Sequence, residues 1–382
     1  MREQIMKVPF NQPSLHGNER EYVLRALETG ETSSGGKYSD EATTILREEL
    51  RAQEVLLTTS CTDALEMCSI LCELGPGDLV ICPSFTFVST ALAFARTGAR
   101  ILFCDIDPQT LAIDPVELDA LLGPRVRAVL VVHYGGQPAK IDEIQSVLGS
   151  APTVSLIEDN ALGLFGTCDG TPLGSYGRFS TLSFHSTKPF SCGEGGALVL
   201  NDLNDLDRAQ TILDKGTNRH EFLRGEVDKY TWVSPGSSFG MSDLLAAALL
   251  GQLEARESII RLRRHIWHRY HAQLSEHSER LGLVLPPDLP GSDQNCCMYY
   301  TILADHPTRD NVLRNLNSVG VEATFHYMPL HRSPAGIAHS GAPSNCPVSD
   351  DISSRIVRLP FFNQMSDDQV DYVVEALLDS LS

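Results

Sequence analysis

The stretch EVLLTTSCTDALEM at residues 54–67 decides the fold class. Its opening EVLLT has the apolar character of a strand, and a helical pattern begins at Thr62. The alternation continues downstream, with strands predicted at DLVIC, RILFCD, RAVLVVH and TVSLIED and helices near Val88, from Pro115 and from Ile141. Because the strands are apolar and joined by helices, we predict an α/β fold with a mostly parallel sheet and ligand groups at its carboxyl edge.

The second half of the chain predicts a smaller unit. Residues 242–275 have the spacing of one long helix or a kinked pair, and LGLVLP, MYYTIL and VEATFHY follow, with helices around 309–319 and from Ser366. Because 382 residues exceed what one core usually supports, we predict a large domain over residues 1–250. Residues 251–382 then form a bridging helix and a small C-terminal α+β domain, with an exposed loop at 333–349.

Charge and cysteine usage limit the partners and the compartment. A formal net charge of −19 repels nucleic acid and anionic membranes, although a local basic patch still permits a small anionic ligand. The ten cysteines stand largely in apolar runs without a CxxC pair, which indicates reduced, buried thiols. The start MREQIMKVPF lacks the apolar run of a leader, and no stretch has membrane-spanning length. We expect a cytoplasmic protein.

The junction of the first strand and helix is a candidate phosphate site. Ser60, Cys61 and Thr62 open the helix, where backbone N–H groups and the helix dipole favour an anion. The same residues also fit an ordinary Ser/Thr helix cap, and this motif alone favours the cap.

Three further motifs each have a functional and a structural interpretation. Phe85 follows the strand DLVIC, where its ring can cover a planar ligand or join the core. Glu158 and Asp159 end a strand, where one carboxylate meets a cation or both are solvated. Lys188, in SFHSTKPFSCGEGG, is either a surface lysine or a nucleophile that forms a Schiff base beside glycines that permit a sharp turn.

The order of these parts along the chain favours the functional interpretation. A phosphate site, a stacking aromatic ring, a carboxylate at a strand end and a lysine are what pyridoxal phosphate requires. Asp159 would keep the pyridine nitrogen protonated, and Lys188 would hold the aldehyde and then move the proton.

The sequence resembles the fold type I pyridoxal phosphate aminotransferases that act on nucleotide-linked keto sugars. The resemblance covers nearly the whole chain and is carried by VPFNQP, TTSCTDALEM, GPGDLVICPSFTFVSTA, IEDNA, SFHSTK, GEGGALV, FHYMPLH and RLPFF. The stretches DKGTNRHEFLRGEVDKYTW and GSSFGMSD are most similar to the branch that aminates C4 of dTDP-4-keto-6-deoxyglucose.

The resemblance implies a role for individual residues. Lys188 would bind the cofactor covalently, Asp159 would meet the pyridine nitrogen, Phe85 would stack on the ring and His185 would lie beside it. The phosphate would be held by Ser60, Cys61, Thr62 and Ser183. The family forms homodimers with shared active sites, so Ser237 and Ser238 are expected to reach the partner's phosphate.

The resemblance also implies the reaction. Relatives that remove a C3 hydroxyl carry histidine at the lysine position, so Lys188 argues for amino transfer from glutamate in a ping-pong cycle. An aminotransferase acting at C3, or on another nucleotide sugar, and a regulator without turnover stay open as alternatives. A nicotinamide-dependent oxidoreductase is disfavoured, because no GxGxxG turn follows the first strand.

Two features bear on the substrate and on departures from the family. A basic cluster is the candidate diphosphate site, against the alternative of a solvated loop; its members are Lys215, Arg219, Arg224 and Lys229. His326 and His331 are candidates for contacts to sugar or cofactor, and no third ligand at suitable spacing supports a metal site. Leu162 stands where the family commonly has a glutamine for the ring oxygen, which puts that contact in doubt.

Overall fold

The computed structural model describes residues 6–381. Residues 1–5 and 382 lie outside this range. The first half of the stretch MREQIMKVPF and the outer ends of the two predicted domains therefore fall outside the described residues. Within the described range, no helix combines the length and the apolar composition that crossing a bilayer requires.

Strands and helices alternate over residues 54–159, and helices predominate from residue 206 onward. The α-helices of the described residues are α1 Glu19–Thr29, α2 Lys37–Leu50, α3 Cys61–Leu71, α4 Val88–Ala95, α5 Pro115–Leu121, α6 Ile141–Leu148, α7 Leu206–Leu213, α8 Arg219–Leu223, α9 Asp243–Glu254, α10 Arg256–Leu281, α11 His306–Ser318, α12 Pro334–His339, α13 Pro347–Arg355 and α14 Asp367–Ser380. The strands are β1 Glu54–Thr58, β2 Leu79–Pro83, β3 Arg100–Cys104, β4 Val126–Val132, β5 Ser155–Asp159, β6 Thr167–Cys168, β7 Thr171–Pro172, β8 Phe179–Ser183, β9 Gly196–Leu200, β10 Ser292–Asp293, β11 Tyr300–Ile302 and β12 Ile356–Arg358.

Seven strands form the central sheet in the order β1-β9-β8-β5-β4-β2-β3. Neighbouring strands from β8 to β3 are parallel, whereas β9 is antiparallel to both β1 and β8. The prediction of a mostly parallel sheet is confirmed, and the predicted strands and helices correspond to β1–β5 and α3–α6. Since parallel strands end at one edge, the last residues of β4, β5 and β8 lie together.

The C-terminal unit has its own apolar core. Helices α10, α11 and α14 pack together around a cluster that includes Trp267, Tyr299 and Val373, beside the small sheet β11–β12. The predicted helix over 242–275 is a kinked pair, because α9 and α10 meet at Ala255. The division at residue 250 falls within α9 and stays a prediction.

Two C-terminal predictions differ from the structure. LGLVLP contributes one bridge, from Val284 to Ile302, and VEATFHY forms isolated bridges rather than a strand. The loop predicted at 333–349 contains α12, whose first turn is capped by Ser333 Oγ accepting the Gly336 N–H at 3.0 Å. The proline that follows Ser333 suits the first position of a helix, so the proline content of this stretch did not exclude one.

Glu158 anchors one face of the sheet from inside β5. Its carboxylate is fully buried and accepts three backbone N–H bonds of 2.7–2.8 Å from the turn at residues 174–177. His133 Nδ1 accepts the Ala139 N–H, so the proton of this ring is on Nε2, which donates to Glu158 at 2.9 Å. The carboxylate therefore fastens β5 to the turn before β8 and to the segment after β4.

We predict that Glu158→Gln lowers the free energy of unfolding by about 2–4 kcal/mol, because the amide turns an NH₂ group toward buried donors. Urea denaturation followed by fluorescence measures the change. Glu375→Gln, at an exposed position on α14, is the matched control and should leave the midpoint in place. Equal stability of the two variants would contradict the role assigned to Glu158.

Candidate active site

A cavity of about 540 Å³ lies at the carboxyl edge of the parallel strands, facing the C-terminal unit. The ends of β4, β5 and β8 line it, together with the first turn of α3 and residues from the C-terminal part of the chain. Of the residues predicted for the site, it brings together Ser60, Cys61, Thr62, Asp159, Ser183, His185, Lys188 and His326.

The first turn of α3 forms one wall of the cavity. Ser60 is the N-cap, and its Oγ accepts the Asp63 N–H at 3.1 Å, so the capping interpretation holds. The first N–H groups of a helix have no intrahelical partner, and here they belong to residues that line the cavity. A Cβ at Gly196 would lie 2.3 Å from Cys61 N, so β9 approaches the start of α3 this closely only with glycine. Cap and anion site are therefore compatible.

Asp159 projects into the cavity from the end of β5. Its Oδ2 accepts the Thr90 hydroxyl at 2.8 Å, and its Oδ1 accepts the Ala161 N–H at 3.2 Å. Burial raises the pKa of Asp159, while the Thr90 bond, the Lys188 charge and the Ala161 bond act in the opposite direction. The alternative of a solvated carboxylate pair is wrong, because Glu158 and Asp159 are 0% and 6% exposed.

Lys188 lies on a loop that is held at several points. Its backbone N–H donates to the His185 carbonyl at 2.9 Å. Asn11 Nδ2 donates to the Ser186 carbonyl and Asn363 Nδ2 to the Pro189 carbonyl, each at 3.0 Å. The half-buried lysine lines the cavity rather than the outer surface. Hydrogen bonds to the backbone on either side of Lys188 thus fix where its amine enters the cavity.

His185 borders the same cavity beside the lysine. Its Nδ1 lies 2.8 Å from Thr187 Oγ1, and its Nε2 lies 3.5 Å from the Glu194 carboxylate. These contacts place the imidazole at the rim, where the backbone of His185 also pairs with Gly193.

The predicted stacking residue, Phe85, does not line the cavity. Phe85 is 1% exposed and packs between Tyr134 and Tyr327, with ring centroids 5.2 and 5.6 Å away, and it does not line the cavity. Phe87 lines it instead and is 57% exposed. The chain bends over residues 84–86 before α4, so Phe85 turns into the core while Phe87 stays at the open side.

The predicted basic cluster lies away from the Lys188 cavity of the same chain. Lys215 and Arg219 line a second cavity of about 430 Å³ and pair with Asp214 at 2.8 and 3.4 Å. Arg224 pairs with Glu226 at 2.8 Å and with another carboxylate at 2.9 Å. The carboxylates paired with Lys215, Arg219 and Arg224 thus offset much of the positive charge of the cluster.

Ser237 and Ser238 are exposed and do not line the Lys188 cavity of their own chain. Ser238 borders the second cavity, and the Ser237 carbonyl accepts the Lys215 N–H at 2.9 Å. His331 also lies outside the Lys188 cavity, because its Nδ1 makes a 2.6 Å hydrogen bond with Ser84 Oγ and its side chain is 7% exposed.

The sequence interpretation assigned no role to several residues that line the cavity. Phe87 stands two residues after the predicted aromatic, and Tyr327 lies inside the quoted FHYMPLH. Arg358 opens the quoted RLPFF, and Phe10 lies in VPFNQP. Each was part of a recognised stretch, but an aromatic or basic residue type does not by itself indicate the direction of the side chain.

The chemistry of these groups fits pyridoxal phosphate. Free N–H groups and hydroxyls at the start of α3 suit a phosphate, a buried carboxylate suits a ring nitrogen and a lysine suits an aldehyde. Leu162, 8% exposed, lines the cavity with an apolar side chain. Within the described residues, no group of three His, Cys, Asp or Glu side chains is arranged to hold a metal ion.

Comparisons with known proteins agree on one family. The profile of the DegT/DnrJ/EryC1/StrS aminotransferase family matches residues 13–378. The dTDP-4-dehydro-2,3,6-trideoxy-D-glucose 4-aminotransferase of Saccharopolyspora spinosa is 30% identical over 328 residues, 85% of this chain and 83% of the relative. GDP-perosamine synthase of Caulobacter vibrioides is 28% identical over 376 residues, 98% of each. The crystal structure of the aminotransferase TlmJ from Streptoalloteichus hindustanus has a TM-score of 0.89 and 30% identity over 98% of each chain.

The profile match spans nearly the whole chain, and a relative with 30% identity covers most of it. The cavity holds the lysine, the carboxylate and the helix start that the cofactor requires. This chain belongs to the DegT/DnrJ/EryC1/StrS aminotransferase family and is a pyridoxal phosphate-dependent sugar aminotransferase.

Proposed function

We propose that this enzyme transfers the amino group of L-glutamate to C4 of dTDP-4-keto-6-deoxy-D-glucose, giving a dTDP-4-amino-4,6-dideoxyhexose and 2-oxoglutarate. The observation that carries amino transfer is the convergence of Lys188 and Asp159 on one cavity beside the start of α3. An amine and a buried carboxylate beside an anion site are the groups that this chemistry requires.

Support for the sugar comes from the relatives and from two sequence stretches. One relative is named for a dTDP-linked sugar aminated at C4 and another for GDP-perosamine, so a nucleotide-linked sugar is common to both names. Residues 214–232 and 236–243 resemble the C4 branch. The nucleotide and the aminated carbon are the parts of the proposal that experiment must decide.

The chain's residues divide the work at the cavity. The bound cofactor supplies an electron sink that stabilises negative charge on the carbon that loses a proton. Lys188 holds the cofactor's aldehyde, and its amine removes and returns the proton. Asp159 would keep the ring nitrogen protonated, and Phe87, which lines the cavity where Phe85 does not, would pack on the ring. The phosphate contacts come from Ser60, Cys61, Thr62 and Ser183.

We also propose that the active enzyme is a homodimer whose two sites share residues. Ser237, Ser238 and the basic cluster of Lys215, Arg219 and Arg224 would serve the partner's cavity. In support, the loop before Ser237 exposes large apolar side chains, with Trp232 78% and Tyr230 55% exposed. Exposed apolar groups clustered in this way are typical of an interaction surface.

The free cysteines bear on the proposed cytoplasmic location. All ten are unpaired and seven of them are buried, as expected where thiols stay reduced.

The reaction is tested by incubating the purified enzyme with glutamate and dTDP-4-keto-6-deoxyglucose and determining the product by NMR. We expect an amino group at C4. The GDP-linked 4-keto sugar, tested in parallel, should react more slowly. Amination at C3, or preference for the GDP sugar, would establish the alternative substrate. A coloured protein that no donor converts would establish the regulator.

For the same assay, we predict that Lys188→Ala removes the visible absorption of the bound cofactor and lowers amino transfer by at least about 10⁴-fold, because nucleophile and acid–base group are lost together. Lys7→Ala, at an exposed position, is the control and should keep both properties. Substantial turnover by the Lys188 variant would show that another group moves the proton.

A second prediction separates the two adjacent carboxylates of β5. Asp159→Asn should lower the turnover number by about 10²- to 10³-fold, because a neutral amide no longer holds charge against the ring nitrogen. Its unfolding midpoint should change far less than that of Glu158→Gln, which loses bonds to the fold. Reversed sensitivities, with activity lost only in the Glu158 variant, would refute this division.

Shared sites are tested by mixing two inactive variants. Lys188→Ala removes the amine, and Ser238→Asp places a negative charge where the partner's phosphate would bind. In a mixed dimer, one site carries both defects and the other carries none, so activity should reappear after subunit exchange. Native mass spectrometry checks that mixed dimers form; mixed dimers without activity would contradict shared sites.

A further inference from the structure

Arg358, at the end of β12, is a cation with no assigned role on the wall of the Lys188 cavity. Among the described residues, Arg358 and Lys188 are the two side chains of lysine or arginine that line this cavity. Its guanidinium lies 4.8 Å from the centroid of the Phe10 ring, and its Nε is buried without a hydrogen-bond partner. Among the described residues, it forms no ion pair with a carboxylate within 4.0 Å.

The contacts of Arg358 orient it without neutralising it. Its Nη1 makes a hydrogen bond with His326 Nε2. A guanidinium only donates, so Nε2 accepts and the His326 proton is on Nδ1, 3.2 Å from the Tyr134 hydroxyl. Burial and the Arg358 charge lower the pKa of His326, which keeps this ring neutral. His326 also stacks on Tyr327, with centroids 3.8 Å apart and planes at 14°.

The position of Arg358 separates it from the start of α3. It belongs to β12 of the small sheet, and its side chain contacts His326 and the Phe10 ring. Among the described residues, neither contact involves Ser60, Cys61 or Thr62 at the start of α3. Arg358 is therefore placed to bind an anion other than the one at the helix start. A guanidinium braced through one arm keeps further N–H groups free for a planar anion.

We propose that Arg358 binds a carboxylate of the amino donor and thereby orients the donor's amine toward the Lys188 side of the cavity. This inference rests on the proposed function, because it requires that an amino acid be the donor. It also assigns His326 a role as a positioning residue, which holds the guanidinium while adding no charge of its own.

The two halves of the reaction allow a selective test with the holoenzyme. Mixing with L-glutamate alone and following the cofactor absorption measures the donor half, and mixing the aminated enzyme with the nucleotide sugar measures the other. In Arg358→Gln, the glutamate concentration for half-maximal rate should rise by about 100-fold, as for loss of one partner of a buried charge pair. The nucleotide-sugar half should stay at the wild-type value. Arg358→Lys should recover part of the loss and provides a folded variant if the glutamine variant is unstable.

Arg355→Gln is the matched control. Arg355 lies three residues earlier, and its guanidinium bonds the Asp351 carboxylate and the Leu303 carbonyl instead of lining the cavity. Both half-reactions of this variant should match the wild type.

Donor analogues identify which carboxylate is bound. L-isoglutamine lacks the α-carboxylate and L-glutamine lacks the γ-carboxylate. The wild type should discriminate against the analogue that lacks the bound group, and Arg358→Gln should lose that discrimination. The analogue that retains the bound carboxylate should react at the same rate relative to glutamate in the wild type and in Arg358→Gln.

Two outcomes would overturn the proposal. Loss confined to the nucleotide-sugar half would show that Arg358 serves the diphosphate, and unchanged values in both halves would show that it binds neither anion. A wild-type enzyme that no amino donor converts would instead be a failure of the proposed function. Because the wild type is assayed before any variant, a failure of the proposed function is distinguishable from a failure of the role proposed for Arg358.

Discussion

The alternation of side chains along β5 is the constraint on which the site depends. Glu158 and Asp159 are neighbours, and a strand directs neighbours to opposite faces. Glu158 has a structural role: its carboxylate accepts hydrogen bonds from the turn before β8 and from the ring of His133. Asp159 is thereby left in the cavity with bonds to Thr90 and Ala161. Hydrogen bonds of Glu158 on one face of β5 thus hold Asp159 in the cavity on the other face.

The start of α3 combines a helix cap with a position on the cavity wall. Ser60 caps the helix through the N–H of its third residue, while the earlier N–H groups remain available to a ligand. The close approach of β9 at Gly196 fixes this turn against the sheet. Gly196, one of the glycines that follow Lys188, therefore allows β9 to pack against the start of α3.

The C-terminal unit completes the cavity with groups of a different kind. The large sheet and the segments that follow its strands contribute Asp159, Lys188 and the start of α3. The end of β12 contributes Arg358, and the stretch FHYMPLH contributes His326 and Tyr327. A neutral histidine holds the arginine, so the positive charge of the guanidinium is kept for a ligand. The site therefore requires both units in their observed arrangement.

The sequence by itself determined the fold class and the family and predicted eight of the residues that line the Lys188 cavity, because strand and helix periodicity and contiguous motifs are local properties. Lys188, Asp159 and Ser60 were predicted from the order of their stretches along the chain, and the structure brings all three to one cavity. Tertiary structure decided that Phe87 rather than Phe85 lines the cavity, since a bend at residues 84–86 buries Phe85 and leaves Phe87 open. It also revealed Arg358, which lies 170 residues from Lys188 in the sequence. The direction of a side chain and the meeting of distant segments depend on long-range packing, and no local pattern encodes them.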